Sequence, residues 1–265
     1  MKKELRTVDA EHGICQLTTL DERFYAMPIT DPATGLPRYE FRPSVTWITG
    51  FYPKGRGFET WLKQHGEAAD DIRDAAADRG FIVHRAVAQL NAGEPVKMSD
   101  LFCDNDGQMR ALTPDEYFAV MTYAEWWQKE GSKRFRILGF EYTIWPDADA
   151  LAAEQGISAE HFQYAGTADL KLQELSTDET CIVDLKTSLD IWTSHEMQVE
   201  AYRVAERADK AAILQLNYRR NKTKKYKFTE VAPCFSLFIA TKQIWKRECE
   251  GIVPLQRDYP LEIRL

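Results

Sequence analysis

Hydrophobic residues recur at helical spacing in the first half of the chain. The apolar face within 58–90 predicts two helices that meet near residues 65–66, and the second is expected to end at 91–93. Gly80 lies inside the second helix, where we expect it to permit a close approach or a break. Thr113-Pro114-Asp115-Glu116 predicts the start of a further helix that reaches about residue 131, because a cap residue is followed by proline and by glutamate at the capping-box position.

Alternation of apolar and polar residues, together with β-branched and aromatic residues, predicts strands in the rest of the chain. The predicted strands are 134–145, 164–175, 181–187, 211–219 and 226–231. The predicted helices among them are a short insertion within 146–163 and the segments 192–208 and 235–248. Residues 1–40 are expected to form short strands or an irregular arm, and 39–52 a strand or a docked extended segment. This order predicts an α/β fold, in which a mixed central β-sheet is flanked by helices and preceded by an N-terminal helical region.

Length and composition favour one soluble domain, with an arm (1–57), a helical region (58–131) and a core (132–265). No apolar run approaches the roughly 18 residues of a membrane helix, and no secretory signal follows the charged N-terminus, so we expect a cytoplasmic protein without a membrane partner. The five cysteines are scattered and lack a CxxC pair, which is typical of free thiols. The net charge of −7 argues against a protein that coats nucleic acid, but it is compatible with an enzyme that has a basic groove.

Carboxylates and a lysine fall on two of the predicted strands. Asp184 and Lys186 are two residues apart in 181–187, so their side chains share one face. Asp169 follows Gly166 in the preceding strand, and antiparallel pairing would bring it to the same point. A lysine beside two carboxylates suits a hard divalent cation and the hydrolysis of phosphodiesters. The alternatives are a capping Asp169 in a surface turn and a buried Asp184–Lys186 salt bridge.

Glu141 interrupts the apolar strand 134–145. Counting alternate positions places Glu141 on the same face as Gly139 and Thr143, opposite Phe140 and Tyr142. It is therefore either an outward charge on a half-exposed strand or a further carboxylate of a metal site.

Polar residues on two predicted helices are further candidates. His84 follows Gly80 on an apolar helix, where it is either a core or boundary residue or a metal ligand. Gln198 and Tyr202 are four residues apart and share a helix face. That face is directed either toward DNA or Lys186, or the pair is a buried tyrosine with a polar neighbour.

The densest positive cluster lies near two tyrosines, Tyr218 and Tyr226. It either holds a phosphate backbone, with the aromatic rings stacking on bases, or forms the solvated tip of a hairpin. Its residues are Arg219, Arg220, Lys222, Lys224, Lys225 and Lys227.

Taken in order, these residues resemble the PD-(D/E)xK nuclease superfamily, and within it the RecB-type exonucleases. The matching elements are Gly80-x-x-x-His84, Glu141, Gly166-x-x-Asp169, Asp184-Leu185-Lys186-Thr187 and Gln198-x-x-x-Tyr202. Upstream, Pro43-Ser44-Val45-Thr46, Trp61 and the alanine-rich helix are similar to the exonucleases of phages and mitochondria. The resemblance covers about residues 42–205 and implies a restriction-endonuclease-like core.

The resemblance also implies a role for each matching residue. The implied ligands of Mg²⁺ or Mn²⁺ are His84, Asp169, Asp184 and the Leu185 carbonyl. Lys186 would position the attacking water or stabilise charge that grows on the phosphate. Glu141 would support the site, and Gln198 and Tyr202 would steady the lysine region or the DNA strand. Ser44 and Thr46 are expected to contact DNA.

One subgroup of this superfamily carries an iron–sulfur cluster held by four cysteines, three of them close together near the C-terminus. Here Cys234 and Cys249 are fifteen residues apart with no third cysteine nearby, so no iron–sulfur cluster is expected.

The resemblance implies a metal-dependent DNA exonuclease of a bacterial or phage-infected cell, used in recombination, replication or DNA turnover. The sequence has no GxxxxGK[ST] helicase motif, so any unwinding must come from a partner, such as a recombination or single-strand-binding protein, or from a substrate that already has ends. The alternatives are a single-strand or structure-specific endonuclease and a catalytically silent protein that binds DNA or a partner.

Overall fold

A computed structural model describes residues 4–18, 22–32, 35–105, 107–217, 225–249, 251–252 and 254. It confirms the predicted α/β class, because a mixed five-stranded sheet is covered by helices on both faces. None of the described helices has the length and apolar character needed to cross a membrane.

The described part of the chain begins with a four-stranded antiparallel sheet, in agreement with the short strands predicted for 1–40. Its strands, in order across the sheet, are β1 (Glu4–Asp9), β2 (Ile14–Thr18), β3 (Arg23–Thr30) and β4 (Pro37–Pro43). The predicted extended segment 39–52 is wrong beyond β4, because Val45–Thr49 forms a short helix, α1. The Ser44 hydroxyl starts this helix by accepting a hydrogen bond from the backbone N–H of Trp47 at 3.0 Å.

The helical region follows the sequence prediction closely. Its main helices are α2 (Arg56–His65), α3 (Ala68–Asn91) and α4 (Pro114–Trp126). The predicted capping box of α4 is present, since the Thr113 hydroxyl accepts from the Glu116 N–H at 3.3 Å and the Glu116 carboxylate accepts from the Thr113 N–H at 2.7 Å. A small hairpin between α3 and α4, formed by β5 (Leu101–Cys103) and β6 (Met109–Ala111), was not predicted. A π-helical turn (Trp127–Gly131) and the short α5 (Ser132–Arg134) extend α4 to the next strand.

The second half of the chain forms the central sheet and its remaining helices, at the predicted places. The strands are β7 (Phe135–Ile144), β8 (Gly166–Glu174), β9 (Thr180–Lys186), β10 (Lys210–Gln215) and β11 (Lys227–Val231). The helices are α6 (Ala148–Gln155), a 3₁₀ turn (Ala159–Phe162), α7 (Thr193–Ala205) and α8 (Phe235–Glu248). The strand order is β11-β10-β9-β8-β7; β9 and β10 are parallel, joined by α7, and the other neighbouring pairs are antiparallel.

Both faces of the central sheet are buried, which explains the nearly continuous apolar run of β9. Cys181, Val183 and Leu185 face the core shared with α3 and α4. Ile182 faces a second core, shared with α1, α6, α7 and α8. Alternation along β9 therefore sends Asp184 to the side of the second core.

The N-terminal sheet is attached to the ends of β7 and β8. The Ala165 N–H donates to the Pro43 carbonyl at 3.0 Å, and the Val45 N–H donates to the Ala165 carbonyl at 2.9 Å. The Arg42 guanidinium donates to the Pro146 carbonyl at 2.6 Å. These bonds place the first sheet beside the edge of the core at which the candidate carboxylates lie.

Candidate metal centre

Three carboxylates lie side by side on three adjacent strands. The β7–β8 register pairs Phe140 with Leu170 and so sets Glu141 opposite Asp169. The β8–β9 register pairs Leu170 with Val183, which sets Asp169 beside Asp184. Cross-strand neighbours are close enough for their side chains to interact, so the sheet itself collects these charges at one point.

Asp169 lies within strand β8 and not in a surface turn, and it is only 8% exposed. Its Oδ1 atom lies 2.8 Å from the Nδ1 atom of His84, and its Oδ2 atom accepts from the Leu185 N–H at 2.6 Å. Burial alone would raise the pKa of Asp169, but the charge and hydrogen bond of His84, the Lys186 ammonium and the Leu185 N–H outweigh it and hold the pKa below its usual value. Asp169 is therefore ionised at neutral pH.

His84 approaches the carboxylates from α3, on the opposite side from α7. Burial alone would lower its pKa, but the Asp169 carboxylate reverses the effect and raises the pKa to about 9. The imidazole must lose its proton if it is to bind a metal ion through the nitrogen that faces Asp169.

Glu141 has a backbone conformation that is rare for a residue with a side chain. Its φ angle is 45°, in the left-handed region, at an estimated cost of about 1–3 kcal/mol. The predicted face assignment for Glu141 is wrong for this reason: Phe140 packs against the α3–α4 core and Tyr142 against the core on the other face of the sheet. Burial and the charge of Asp169 raise the pKa of Glu141 to about 7.

Asp184 and Lys186 project together, as the spacing of the two residues predicts. The Lys186 Nζ atom lies 2.6 Å from the Asp184 Oδ2 atom and donates to the Gln198 Oε1 atom at 3.3 Å. Asp184 is 3% exposed, and burial raises its pKa to about 6 although Lys186 opposes the shift. The alternative of a buried Asp184–Lys186 salt bridge is thus present, and it lies directly beside Asp169.

Tyr202 and Gly166 fit against one another on the α7 side of the site. A Cβ atom on Gly166 would lie 2.4 Å from the Tyr202 Cε1 atom and 2.5 Å from its hydroxyl oxygen. Gly166 therefore lies within β8 to let the ring approach the backbone, and not to form a turn. Tyr202 is 2% exposed and hydrogen-bonds to Gln198, so it supports the residue that contacts Lys186. By contrast, a Cβ on Gly80 would make only an ordinary 3.9 Å contact and α3 is unbroken there, so neither the close approach nor the break expected at Gly80 is found.

His195, at the start of α7, is a site residue that the sequence analysis missed. Its Nδ1 atom accepts from the Trp192 N–H at 3.3 Å, which leaves the proton on Nε2. Burial and the nearby Lys186 charge lower its pKa to about 3. A neutral imidazole therefore lies near Lys186, where a second cation would be repelled.

The donor atoms of His84, Glu141 and Asp169 suit a metal ion. One ligand atom from each of these residues lies within 4.8 Å of the other two. The set is one imidazole nitrogen and two carboxylate oxygens, which are ligand types used for divalent first-row metals and, in the case of the carboxylates, for Mg²⁺. Asp184 lies beside this group with its carboxylate on Lys186, and Leu185 supplies its backbone N–H to Asp169.

The residues predicted to contact DNA differ in their exposure and in their position relative to the cleft. Ser44 is 1% exposed and its hydroxyl caps α1, whereas Thr46 is exposed and lines the cleft above the carboxylates. The basic residues Arg219, Arg220, Lys222 and Lys224 lie outside the described residues, and of the predicted DNA-binding cluster the structure describes Lys225 and Lys227.

A cleft of about 620 Å³ opens over the carboxylates. Its walls include α3, the ends of β7 and β8, and strands β1 to β3 of the N-terminal sheet. Three arginines in these walls, Arg6, Arg23 and Arg85, were not predicted. They come from separate elements, and no spacing in the sequence relates them to the carboxylates.

Comparison of the chain with models of known protein families and with curated proteins found no match.

Proposed function

We propose that this protein is a metal-dependent deoxyribonuclease of the PD-(D/E)xK type that hydrolyses phosphodiester bonds, with exonuclease action on DNA ends. The observation that carries the proposal is the convergence of Glu141, Asp169 and Asp184 with His84 at the base of one cleft, where Lys186 contacts Asp184. A cytoplasmic location and DNA as the partner are parts of this proposal.

His84, Glu141 and Asp169 would hold Mg²⁺ or Mn²⁺, with Asp184 beside them. The ion would polarise a phosphoryl oxygen and favour formation of the attacking hydroxide. Burial makes these charges effective, because little water screens them at the base of the cleft.

Lys186 would stabilise the negative charge that grows on the phosphate. Its ammonium group is held by Asp184 at 2.6 Å and by Gln198 at 3.3 Å, and its side chain is 17% exposed. A cation that is fixed before the reaction needs little reorganisation when charge develops. Tyr202 and Gly166 would act indirectly. Tyr202 hydrogen-bonds to Gln198, and Gly166 leaves the space that the Tyr202 ring occupies.

Cleavage of defined DNA substrates tests the proposal. Linear end-labelled and circular DNA, each single- or double-stranded, are incubated with Mg²⁺, Mn²⁺ or a chelator. We expect linear DNA to be degraded with metal only, and Asp184→Asn and Lys186→Met to be inactive. The matched controls Asp149→Asn and Lys133→Met, at exposed positions outside the cleft, should retain activity.

Two other outcomes of the cleavage assay would change the proposal. Cutting of circles would replace exonuclease by endonuclease action at the same site. If wild type cuts nothing but still binds DNA or a protein partner, the nuclease proposal is wrong and the protein works by binding.

Thermal unfolding with Mn²⁺ tests the metal site without relying on activity. A bound ion raises the melting temperature of the folded protein, so wild type and Asp149→Asn should both be stabilised. Asp169→Asn should lose this response because it removes a charged ligand from the group around His84 and Glu141. Equal stabilisation of all three proteins would place Mn²⁺ elsewhere.

A further inference from the structure

Guanidinium groups from three separate elements line the cleft near the carboxylates. Arg6 comes from β1, Arg23 from the start of β3 and Arg85 from α3. Glu141, Asp169 and Asp184 line the same cleft. The cleft therefore carries positive charge in its walls as well as negative charge at its base.

The guanidinium groups of these three arginines are not neutralised by a carboxylate within salt-bridge distance in the described part of the chain. By contrast, Arg110 lies 2.8 Å from a carboxylate oxygen of Glu116, and Arg134 lies 2.8 Å from one of Glu174. Unpaired guanidinium groups inside a concave site are donors available to a bound anion.

Arg6 and Arg85 also contact the same aromatic ring. The guanidinium carbon of Arg6 lies 5.0 Å from the ring centroid of Phe81, and that of Arg85 lies 5.6 Å from the same centroid. Two like charges on one aromatic ring repel each other unless an anion lies between or beside them.

The wall that carries Arg6 and Arg23 is fixed to the core before any ligand binds. The hydroxyls of Tyr25 and Thr167 hydrogen-bond at 3.1 Å between β3 and β8. The Thr143 hydroxyl donates to the Val8 carbonyl at 3.4 Å between β7 and β1. A preorganised set of donors binds with a smaller entropic cost.

We propose that Arg6, Arg23 and Arg85 form a phosphate-binding wall that holds the backbone of a single nucleic-acid strand next to the carboxylates. This inference rests on the proposed function and adds the substrate class. Guanidinium groups on three elements match successive phosphates better than one small anion. The cleft volume of about 620 Å³ is in the range of small-molecule sites, so the cleft has room for a few nucleotides of one strand.

Binding measured without metal separates this wall from catalysis. A short fluorescent single-stranded oligodeoxynucleotide is titrated with protein in chelator, and anisotropy is followed at several salt concentrations. We expect Arg6→Gln, Arg23→Gln and Arg85→Gln each to weaken binding and to reduce the slope of log K against log salt by about 0.7, the value for one lost phosphate contact on a single strand. The matched control Arg73→Gln, on the same α3 helix but paired with Asp70 outside the cleft, should bind like wild type.

Further variants and substrates keep the test decisive. Arg85 is exposed, so Arg85→Glu should fold normally and weaken binding more than Arg85→Gln, and Arg85→Lys should restore the salt slope. Wild-type affinity and slope in all three glutamine variants would overturn the inference. Equal binding of blunt duplex, with the same dependence on the arginines, would overturn the assignment to a single strand.

The result also distinguishes this inference from the proposed function. If no metal supports cleavage but binding depends on the three arginines, the nuclease proposal fails and the wall remains. If the protein cleaves DNA and the glutamine variants bind and cleave like wild type, the wall fails and the nuclease proposal remains.

Discussion

Substitution of Gly166 by alanine tests the link between the packing of α7 and the candidate site. The new methyl group would lie 2.4 Å from the Tyr202 Cε1 atom and 2.7 Å from its Cζ atom. The ring must move by about 1 Å to reach an ordinary contact of 3.4 Å. Tyr202 is only 2% exposed, so most of its ring is already packed against neighbouring atoms.

We expect Gly166→Ala to lower the free energy of unfolding by about 1–3 kcal/mol, the usual cost of overpacking a core. The backbone of Gly166 is that of an ordinary strand residue, so the loss comes from the clash alone. Movement of Tyr202 should also displace Gln198 and loosen its contact with Lys186. The proposed nuclease activity should therefore fall more than the loss of stability alone explains.

Urea unfolding and cleavage assays measure the two effects. Gly139→Ala on the neighbouring strand is the matched control, because its methyl group would meet Tyr142 at an ordinary 3.5 Å. A double-mutant cycle with Tyr202→Leu isolates the clash, since the shorter side chain removes the atoms in question. The reasoning is refuted if Gly166→Ala costs the same in the Tyr202→Leu background as in wild type.

Three further predictions concern charges and strain. Glu141→Gly should raise the free energy of unfolding by about 1 kcal/mol, because a φ angle of 45° suits glycine. The same substitution should abolish DNA cleavage. Asp178→Gly, at a φ angle of 62° in a turn, is the control and should leave cleavage intact. Lys242 is 6% exposed and burial lowers its pKa to about 8, so Lys242→Met should stabilise the protein near neutral pH by about 1–3 kcal/mol in urea unfolding. That advantage should shrink as pH rises from 8 toward 10.5, where the unfolded lysine also loses its proton. Glu116 is buried, and although burial opposes the shift, its contacts with Arg110 and Thr113 hold its pKa below 4.5. When pH falls through this lowered pKa, the free energy of unfolding should therefore decrease more for wild type than for Glu116→Gln. Parallel curves of unfolding free energy against pH for the two proteins would contradict this.

The fold followed from the sequence wherever one local rule decided the structure. The capping box at Thr113 and the apolar periodicity of α3 and α4 are properties of neighbouring residues, and these elements were predicted within a few residues. The segment after Ser44 was not, because its β-branched and aromatic residues favour a strand while the cap and the contacts with Ala165 favour a helix.

The candidate site was predictable only where a local rule along one element places the side chains. The common face of Asp184 and Lys186 follows from alternation along one strand. The face of Glu141 did not, because alternation fails where a residue takes a positive φ, which no pattern of apolar residues reveals. The phosphate-binding wall depends on how β1, β3 and α3 meet in space, and β2 to β4, α1, α2 and part of α3 separate Arg6 from Arg85 along the chain.

The attachment of the first sheet to the core has a consequence for synthesis of the protein. The bonded hydroxyls of Tyr25 and Thr167 are 142 residues apart, and Lys186 emerges from the ribosome later still. Contacts at such a separation form only after a long loop has closed. The four N-terminal strands are therefore complete long before the surface that they cover exists. A ribosome-bound chain that ends before β9 lacks Asp184 and Lys186, so the proposed activity can arise only after the core has been made.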